Sequence, residues 1–256
     1  MSDQPLEGAV ALVTGAGSGI GAATAHRLAR EGAAVALVGE RLHQVADGIA
    51  KLGGHAVEIP LDITEPDKAE EAVQDTLDRL GRLDVLVNNA DLRLLDTALH
   101  TTVDEWDRMV ALNVAALLHI THAAVPQLIY AASTSPRQVA DLVNLGSTAG
   151  RAAPPGSSVY SFTKSGLKAF SESLRQELHD EQVRVSVVET GTVETGTVET
   201  ELLDRPSEIV HESARRRIAG IEGLRADDIA DAIGYIVTRD RRIAVNEMLI
   251  RAGDEQ

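Results

Sequence analysis

A tyrosine and a lysine spaced for a shared helix face, Tyr160 and Lys164, form the pair in this sequence with the clearest capacity for chemistry. Residues i and i+4 of a helix lie on one face, so the phenol and the ammonium group can converge. A free tyrosine has a pKa near ~10, which is poorly matched to proton transfer at neutral pH. A neighbouring cation favours the phenolate and lowers that pKa. We therefore expect Lys164 to lower the pKa of Tyr160 and make it a proton-transferring acid or base.

Two polar residues, Ser147 and Asn113, precede this pair. Ser147 directly follows an apolar run that predicts a strand over 142–145. Ligands of open parallel sheets bind beyond the carboxyl ends of strands, so Ser147 can reach a substrate oxygen and stabilise charge developing on it. Asn113 falls inside a predicted helix, where asparagine is a mediocre helix former. Taken singly, such a serine is more often a turn residue and such an asparagine incidental, so the four residues have to be judged as a set.

Glycines recur in a turn that follows a predicted strand, 9–14, and opens a predicted helix, 20–30. Glycine allows positive φ and a close approach of the backbone to a ligand. The helix N-terminus offers free N–H groups and the positive end of the helix dipole to a pyrophosphate. In this context the turn predicts a dinucleotide site, with tight strand–helix packing as the alternative. The assigned residues are Gly15, Gly17, Ser18, Gly19, Ile20 and Gly21.

Strand-like and helix-like segments alternate along the whole chain. This alternation predicts an α/β fold, with a single doubly wound parallel sheet of about seven strands and helices on both faces. No linker divides the chain, so we expect 1–256 to form one domain. The predicted strands are 9–14, 34–38, 56–60, 85–88, 142–145, 183–188 and 245–250; the predicted helices are 20–30, 42–51, 66–80, 104–130, 158–180 and 226–238, with an exposed loop at 133–137.

The charge and composition exclude several classes of function. A formal net charge of −15 repels phosphate backbones and anionic membranes, so nucleic acid is not an expected partner. The absence of cysteine excludes disulfides, thiolate chemistry and Cys-based zinc sites, and no metal is expected. We find no signal-peptide pattern and no uninterrupted apolar stretch long enough to span a bilayer. A cytoplasmic protein acting on a small molecule is therefore expected.

The glycine spacing and the four polar residues together resemble the short-chain dehydrogenase/reductase superfamily. The family's first turn reads TGxxxGxG, and its Asn–Ser–Tyr–Lys tetrad is matched in order by Asn113, Ser147, Tyr160 and Lys164. The resemblance covers about residues 8–253 and implies a Rossmann-type fold and an NAD(P)-dependent oxidoreductase. Such an enzyme moves a hydride between a nicotinamide cofactor and a carbonyl or alcohol carbon. It also implies that Tyr160 transfers the proton, that Lys164 holds the nicotinamide ribose, and that Asn113 bends its helix and holds a relay water.

The tail, 245–251, and the helix segment 171–178 are similar to a subgroup that contains clavaldehyde dehydrogenase and bacterial 3-hydroxy acid (serine-type) dehydrogenases. The resemblance further implies a homo-oligomer, a dimer or a homotetramer, in which the helices at 104–130 and 158–180 form a four-helix interface.

Further cofactor contacts follow from the resemblance. It implies that Asp62 meets the adenine amino group, next to Ile63, and that Asn89 and Ala90 line the cofactor. Asp62 as an ordinary helix cap is the alternative. The family pattern Asn-Asn-Ala-Gly ends here in Asp91 instead of glycine. That carboxylate either weakens the binding of an anionic dinucleotide or points to solvent.

The end of the second predicted strand bears on the choice between NADP and NAD. An acidic residue there binds the ribose hydroxyls, whereas an arginine accepts a 2′-phosphate. Gly39 stands where NAD-dependent relatives usually carry aspartate, and Arg41 can pair with a phosphate. Glu40 argues in the other direction. The expected cofactor is NADP, with NAD as the alternative.

The loop after the sixth predicted strand departs from the family pattern Pro-Gly-x-Val-x-Thr. Thr190 replaces the proline, and the pentapeptide GTVET occurs twice, at 191–195 and 196–200. Gly191, Val193 and Thr195 are assigned to the cofactor, although Thr200 could fill the position of Thr195. The segment 202–220 is expected to form a lid over the substrate. These departures keep open a second hypothesis, a dinucleotide-binding sensor or scaffold with little activity.

Overall fold

A parallel sheet of seven strands forms the centre of the computed structural model, which describes residues 4–191, 193–194 and 222–254. The strands are β1 (Val10–Thr14), β2 (Ala34–Val38), β3 (Ala56–Ile59), β4 (Val85–Asn88), β5 (Ala140–Ser147), β6 (Val183–Thr190) and β9 (Glu247–Ile250). They lie in the order β3-β2-β1-β4-β5-β6-β9, and each neighbouring pair is parallel. Two short strands, β7 (Val193–Glu194) and β8 (Leu224–Arg225), pair separately.

Helices cover both faces of the sheet, as the alternation of segments predicts. They are α1 (Gly19–Arg30), α2 (His43–Lys51), α3 (Lys68–Leu80), α4 (Val103–Val110), a π-helix (Ala111–Ala116), α5 (Leu117–Thr134), α6 (Ala149–Ala152), α7 (Ser158–Glu177) and α8 (Ala226–Val237). Successive strand residues point to opposite faces, and accordingly Ala11 and Val13 join one core cluster while Leu12 joins the other. The predicted Rossmann-type fold is confirmed.

Most predicted elements are found within two residues of their predicted ends, and the exceptions have local causes. The predicted strand at 142–145 extends to Ala140 and Ser147, because β5 pairs with β6 along its whole length. The loop prediction at 133–137 is wrong for Ser133 and Thr134, whose hydroxyls donate to the carbonyl oxygen of Tyr130 and continue α5. The elements α6, β7 and β8 were not predicted. The predicted lid at 202–220 lies outside the described residues.

The helical stretch Val103–Thr134 is long and apolar enough to cross a membrane by length and composition alone, and an 18-residue window within it has a mean hydropathy of 1.5. Polar residues such as Asn113 lie within it. Its α5 part packs against α3 and the sheet, and Ile120, Ala124 and Leu128 are fully buried in the second core cluster. One side of α5 is thus packed inside the fold.

The strand order reverses at β1, which lies between β2 and β4. From β1 the chain continues to β2 and β3 in one half of the sheet, and from β4 it continues to β5 and β6 in the other half. The two directions diverge between β1 and β4 and leave a crevice at the carboxyl ends of these strands. Open α/β sheets bind ligands at such a point. The glycine turn after β1, the loop after β4 and the end of β5 all meet there.

Candidate active site

Helix α7 brings Tyr160 and Lys164 to one side of the crevice, as their spacing predicts. The Tyr160 side chain is 4% exposed, and the Lys164 ammonium lies 5.6 Å from the centre of its ring. Lys164 Nζ also donates a hydrogen bond of 2.9 Å to the carbonyl oxygen of Leu145 in β5. The lysine is therefore fixed between the helix and the neighbouring strand.

Asp91, in the loop after β4, contacts both of these residues. The Tyr160 hydroxyl donates to Asp91 Oδ2 at 2.8 Å, and Lys164 Nζ lies 3.1 Å from Asp91 Oδ1. The expectation that this carboxylate could simply point to solvent is wrong, since it faces the phenol and the ammonium group. One carboxylate thus spans the two residues that the sequence assigns to proton transfer.

The phenol of Tyr160 is strongly perturbed. Burial raises its pKa well above the ordinary value, and the Asp91 charge raises it further. Arg93 acts in the opposite sense, as does a weaker interaction with the Ser147 hydroxyl. The pKa of Tyr160 is therefore raised, where the sequence predicted a lowered one, since burial and Asp91 outweigh the groups that favour the phenolate. Lys164 pairs with Asp91.

The other two tetrad residues border the same crevice. Ser147 ends β5, and its hydroxyl accepts a hydrogen bond of 3.2 Å from the Ala149 amide. Asn113 lies in the π-helix, a local widening that often occurs at functional sites and turns side chains to new directions. Its amide group makes two hydrogen bonds of 2.8 Å with the main chain of Leu92. Asn113 therefore fixes the loop that carries Asp91; its relay role stays a prediction.

A buried polar network lies behind the site and was not predicted. Asn88 Nδ2 donates to Thr121 Oγ1 at 3.0 Å and to Asn144 Oδ1 at 2.8 Å, and Asn144 Nδ2 donates to Ser171 Oγ at 2.8 Å. The network joins β4, β5, α5 and α7. The signal available in the sequence was the presence of amides inside otherwise apolar strands, since buried amides require partners.

The glycine turn is held in place by Thr14 and Asn89. Asn89 Nδ2 donates to the carbonyl oxygens of Thr14, at 2.9 Å, and Gly15, at 3.2 Å, while the Thr14 hydroxyl accepts from the amides of Asn89 and Ala90. A Cβ atom at Gly17 would lie 1.8 Å from the carbonyl oxygen of Glu40. Only glycine permits this approach of the turn to the end of β2.

The first turn of α1 is free to accept a ligand. Its N-cap residue, Ser18, makes no side-chain capping hydrogen bond, so the N–H groups that such a cap would engage are left without it among the described residues. Gly19 has a φ of +52°, which opens the turn in front of these groups. An uncapped helix N-terminus after a parallel strand suits a pyrophosphate, so the residues present fit a dinucleotide.

A cationic residue, Arg41, follows the end of β2. Gly39 has a φ of +132°, and Arg41 follows with a φ of +52°, a conformation uncommon for a residue with a side chain. Arg41 is exposed, and no hydrogen bond or ion pair engages its side chain within the described part of the chain. The guanidinium group is available to an anionic ligand.

The remaining predicted cofactor residues have structural contacts of their own. Asp62 Oδ1 accepts from the amide and hydroxyl of Thr64 at 2.9 and 2.7 Å, and the N-cap of α3 is Asp67, so Asp62 does not cap that helix. Ile63 is buried in the second core cluster. The Gly191 amide donates to the carbonyl oxygen of Ile250 at 2.8 Å, and Val193 packs against the first cluster. Thr195 and Thr200 lie outside the described residues.

Comparisons with known proteins agree on one family. A family model described as short chain dehydrogenase matches residues 9–205. Serine 3-dehydrogenase of Agrobacterium fabrum is 36% identical over 238 residues, 93% of this chain and 91% of that protein. Glycine betaine reductase ATRR of Emericella nidulans is 34% identical over 254 residues, 98% of this chain, but this chain spans only 19% of that protein's length.

Solved structures give the same result. A short chain dehydrogenase from Burkholderia cenocepacia in complex with NADP superposes with a TM-score of 0.82 at 31% identity, covering 97% of this chain and 98% of that one. A dehydrogenase/reductase from Sinorhizobium meliloti superposes with a TM-score of 0.81 at 31% identity, covering 96% and 94%.

Proposed function

The chain belongs to the short-chain dehydrogenase family and is an NAD(P)-dependent oxidoreductase, and we propose that it moves a hydride between the cofactor and a carbonyl or alcohol carbon of a small molecule. The observation that carries the proposal is the meeting of Tyr160, Lys164 and Ser147 at the carboxyl ends of the strands, beside the uncapped α1 N-terminus.

Each of these residues has a separate task in the proposed reaction. Tyr160 donates its proton to the carbonyl oxygen in reduction and accepts the alcohol proton in oxidation. The Ser147 hydroxyl stabilises the charge that develops on that oxygen. Lys164 and the first turn of α1 hold the ribose and the pyrophosphate, and the bound nicotinamide supplies or accepts the hydride.

An activity screen tests this proposal. Ketones, aldehydes and 3-hydroxy acids are offered with NADPH and NADH in parallel, and then with NADP+ and NAD+. The serine 3-dehydrogenase relative supports including 3-hydroxy acids such as serine. Binding of NADPH in calorimetry without turnover of any member of the panel would favour the sensor or scaffold hypothesis instead.

NADP is the proposed cofactor, with NAD as the alternative. The support is the unpaired Arg41 guanidinium at the end of β2, where the adenosine 2′-phosphate lies in NADP-binding relatives of this fold. The NADP complex of the Burkholderia cenocepacia protein agrees with this choice. Glu40 is exposed beside Arg41 and supports the alternative.

We expect Arg41→Ala to weaken NADPH binding about tenfold or more while leaving NADH binding nearly unchanged, because a hydrogen bond to a charged group contributes about 1.5–3 kcal/mol. Both affinities are measured by calorimetry. Arg241→Ala, which removes an exposed arginine from the loop before β9, is the matched control. An equal loss for both cofactors, or none, would contradict NADP as the preferred cofactor.

We also propose a homotetramer. Apolar side chains are exposed on two separate parts of the surface: Val110 and Phe162 on α4 and α7, and Tyr235 and Leu249 on α8 and β9. Exposed apolar groups of this kind mark interaction sites, and two independent twofold contacts generate a tetramer. Light scattering measures the mass in solution, and the mass of a monomer or of a dimer would contradict the proposal.

A further inference from the structure

The loop after β4 places the Asp91 carboxylate against the hydroxyl of Tyr160, the proposed proton-transfer residue. Asp91 reaches the Tyr160 hydroxyl at 2.8 Å and the Lys164 ammonium at 3.1 Å, so it is held by two partners. Asn113 fixes the main chain of the next residue, Leu92, with two hydrogen bonds of 2.8 Å. The position of Asp91 is therefore set both by its own contacts and by the π-helix below it.

The charges around the phenol come from three elements. Asp91 and Arg93 lie in the loop after β4, Lys164 lies on α7, and the uncharged hydroxyl of Ser147 ends β5. Lys164 is closer to the Asp91 carboxylate than to the centre of the Tyr160 ring. The charged group in contact with the phenolic oxygen is the Asp91 carboxylate, whose Oδ2 lies 2.8 Å away. A phenolate there would face this carboxylate with no proton between the two oxygens.

We propose that Asp91 is a positioning residue that retains the proton on Tyr160, so that alcohol oxidation by this enzyme requires alkaline pH while carbonyl reduction persists into the alkaline range. The inference rests on the function proposed above. It assigns a role to the one residue that departs from the family's glycine at this position.

The proton balance gives the sign of the effect. Reduction adds the hydride to the carbonyl carbon and the phenolic proton to the oxygen, and the resulting phenolate regains a proton from water. Oxidation runs in reverse and needs the phenolate at the start, which Asp91 and burial both oppose. Because an enzyme does not alter an equilibrium constant, any change at Asp91 must move the two pH profiles together.

The ionisation of Tyr160 can be observed without cofactor or substrate. The chain has three tyrosines, and Tyr130 and Tyr235 are 62% and 47% exposed. In a Tyr130→Phe/Tyr235→Phe background, ultraviolet difference absorbance during a pH titration reports Tyr160 alone. Asp91→Asn removes the charge with little change in shape, and Asp91→Gly restores the family's residue. Asp107→Asn, which removes an exposed aspartate from α4, is the matched control.

The expected result is a downward shift of the Tyr160 titration by about one pH unit or more in Asp91→Asn and Asp91→Gly, the size that a neighbouring charge produces. Adding Arg93→Gln to Asp91→Asn should move the titration back upward, because Arg93 favours the phenolate. With an active substrate, both pH–rate profiles should shift to lower pH by the same amount.

A titration in Asp91→Asn that shifts no more than in Asp107→Asn would overturn the inference, as would pH–rate profiles that stay in place. A shifted titration in a protein that turns over no substrate has a different meaning. It would support the retention of the proton by Asp91 and count against the proposed function, so the two failures are distinguishable.

Discussion

Tyr160→Phe is expected to lower turnover by about 10²–10⁴-fold, the contribution that a general acid or base typically makes. The phenylalanine ring fills the same buried space, so the fold and the glycine turn are retained. Only the hydroxyl that donates to Asp91, and that would donate to a substrate oxygen, is lost. Turnover is measured at saturating substrate, and cofactor affinity is measured separately by calorimetry, where we expect no large change.

Tyr130→Phe is the control for this substitution, because Tyr130 is exposed on α5 and away from the crevice. It should leave both turnover and cofactor binding unchanged. Near-normal turnover in Tyr160→Phe would rule out Tyr160 as the proton-transferring group. Loss of cofactor binding together with turnover would instead show that the substitution damages the site as a whole.

The fold could be predicted from the sequence because its signals are local and repeated. The predicted bounds of β2 and β4 agree with the structure to the residue, since both are short apolar runs with every interior residue buried. Gly32, with a φ of +98°, ends the turn after α1 as its position indicates. Parallel strands that are buried on both faces generally have nearly continuous apolar sequences, so they can be located from the sequence.

The candidate site could be predicted only in part, because its electrostatics depends on contacts between distant segments. The spacing of Tyr160 and Lys164 gives their shared helix face, but not the arrival of Asp91 from a loop 69 positions away. From the sequence, the replacement of the family's glycine by Asp91 suggested an effect on the binding of the dinucleotide. In the structure, Asp91 contacts the hydroxyl of Tyr160, the proposed proton-transfer residue. Asp91 and burial together raise the pKa of Tyr160, whereas the sequence predicted a lowered pKa.

The break in the predicted helix at 104–130 shows a second limit. The asparagine is a mediocre helix former, and the structure has a π-helix at this position. There Asn113 makes two hydrogen bonds with the main chain of Leu92, a residue of the loop after β4. The type of helix at Asn113 involves contacts with a distant loop, so it cannot be predicted from the sequence of the helix alone.

The strand that ends in Ser147 depends on a buried ion pair at its other end. Asp141 is 1% exposed and accepts hydrogen bonds from Arg184 Nε on β6, at 2.7 Å, and from Arg137, at 2.8 Å. Arg184 also donates to the carbonyl oxygens of Arg239 and Ile243, in the segment between α8 and β9. This cluster connects β5 and β6 to the last part of the chain, and no periodic pattern in the sequence predicts it.

Asp141→Asn is expected to lower the free energy of unfolding by about 3–5 kcal/mol, because it leaves the Arg184 guanidinium buried without a compensating charge. Urea denaturation measures the loss, and Asp180→Asn, at an exposed aspartate after α7, is the control that should change stability by less than about 0.5 kcal/mol. The double variant Asp141→Asn/Arg184→Met should lose less than the sum of its single substitutions, since the first has already removed the partner of the second. Additive losses would show that the two side chains stabilise the sheet independently and that the carbonyl contacts of Arg184, not its charge pair, hold β5 and β6 in place.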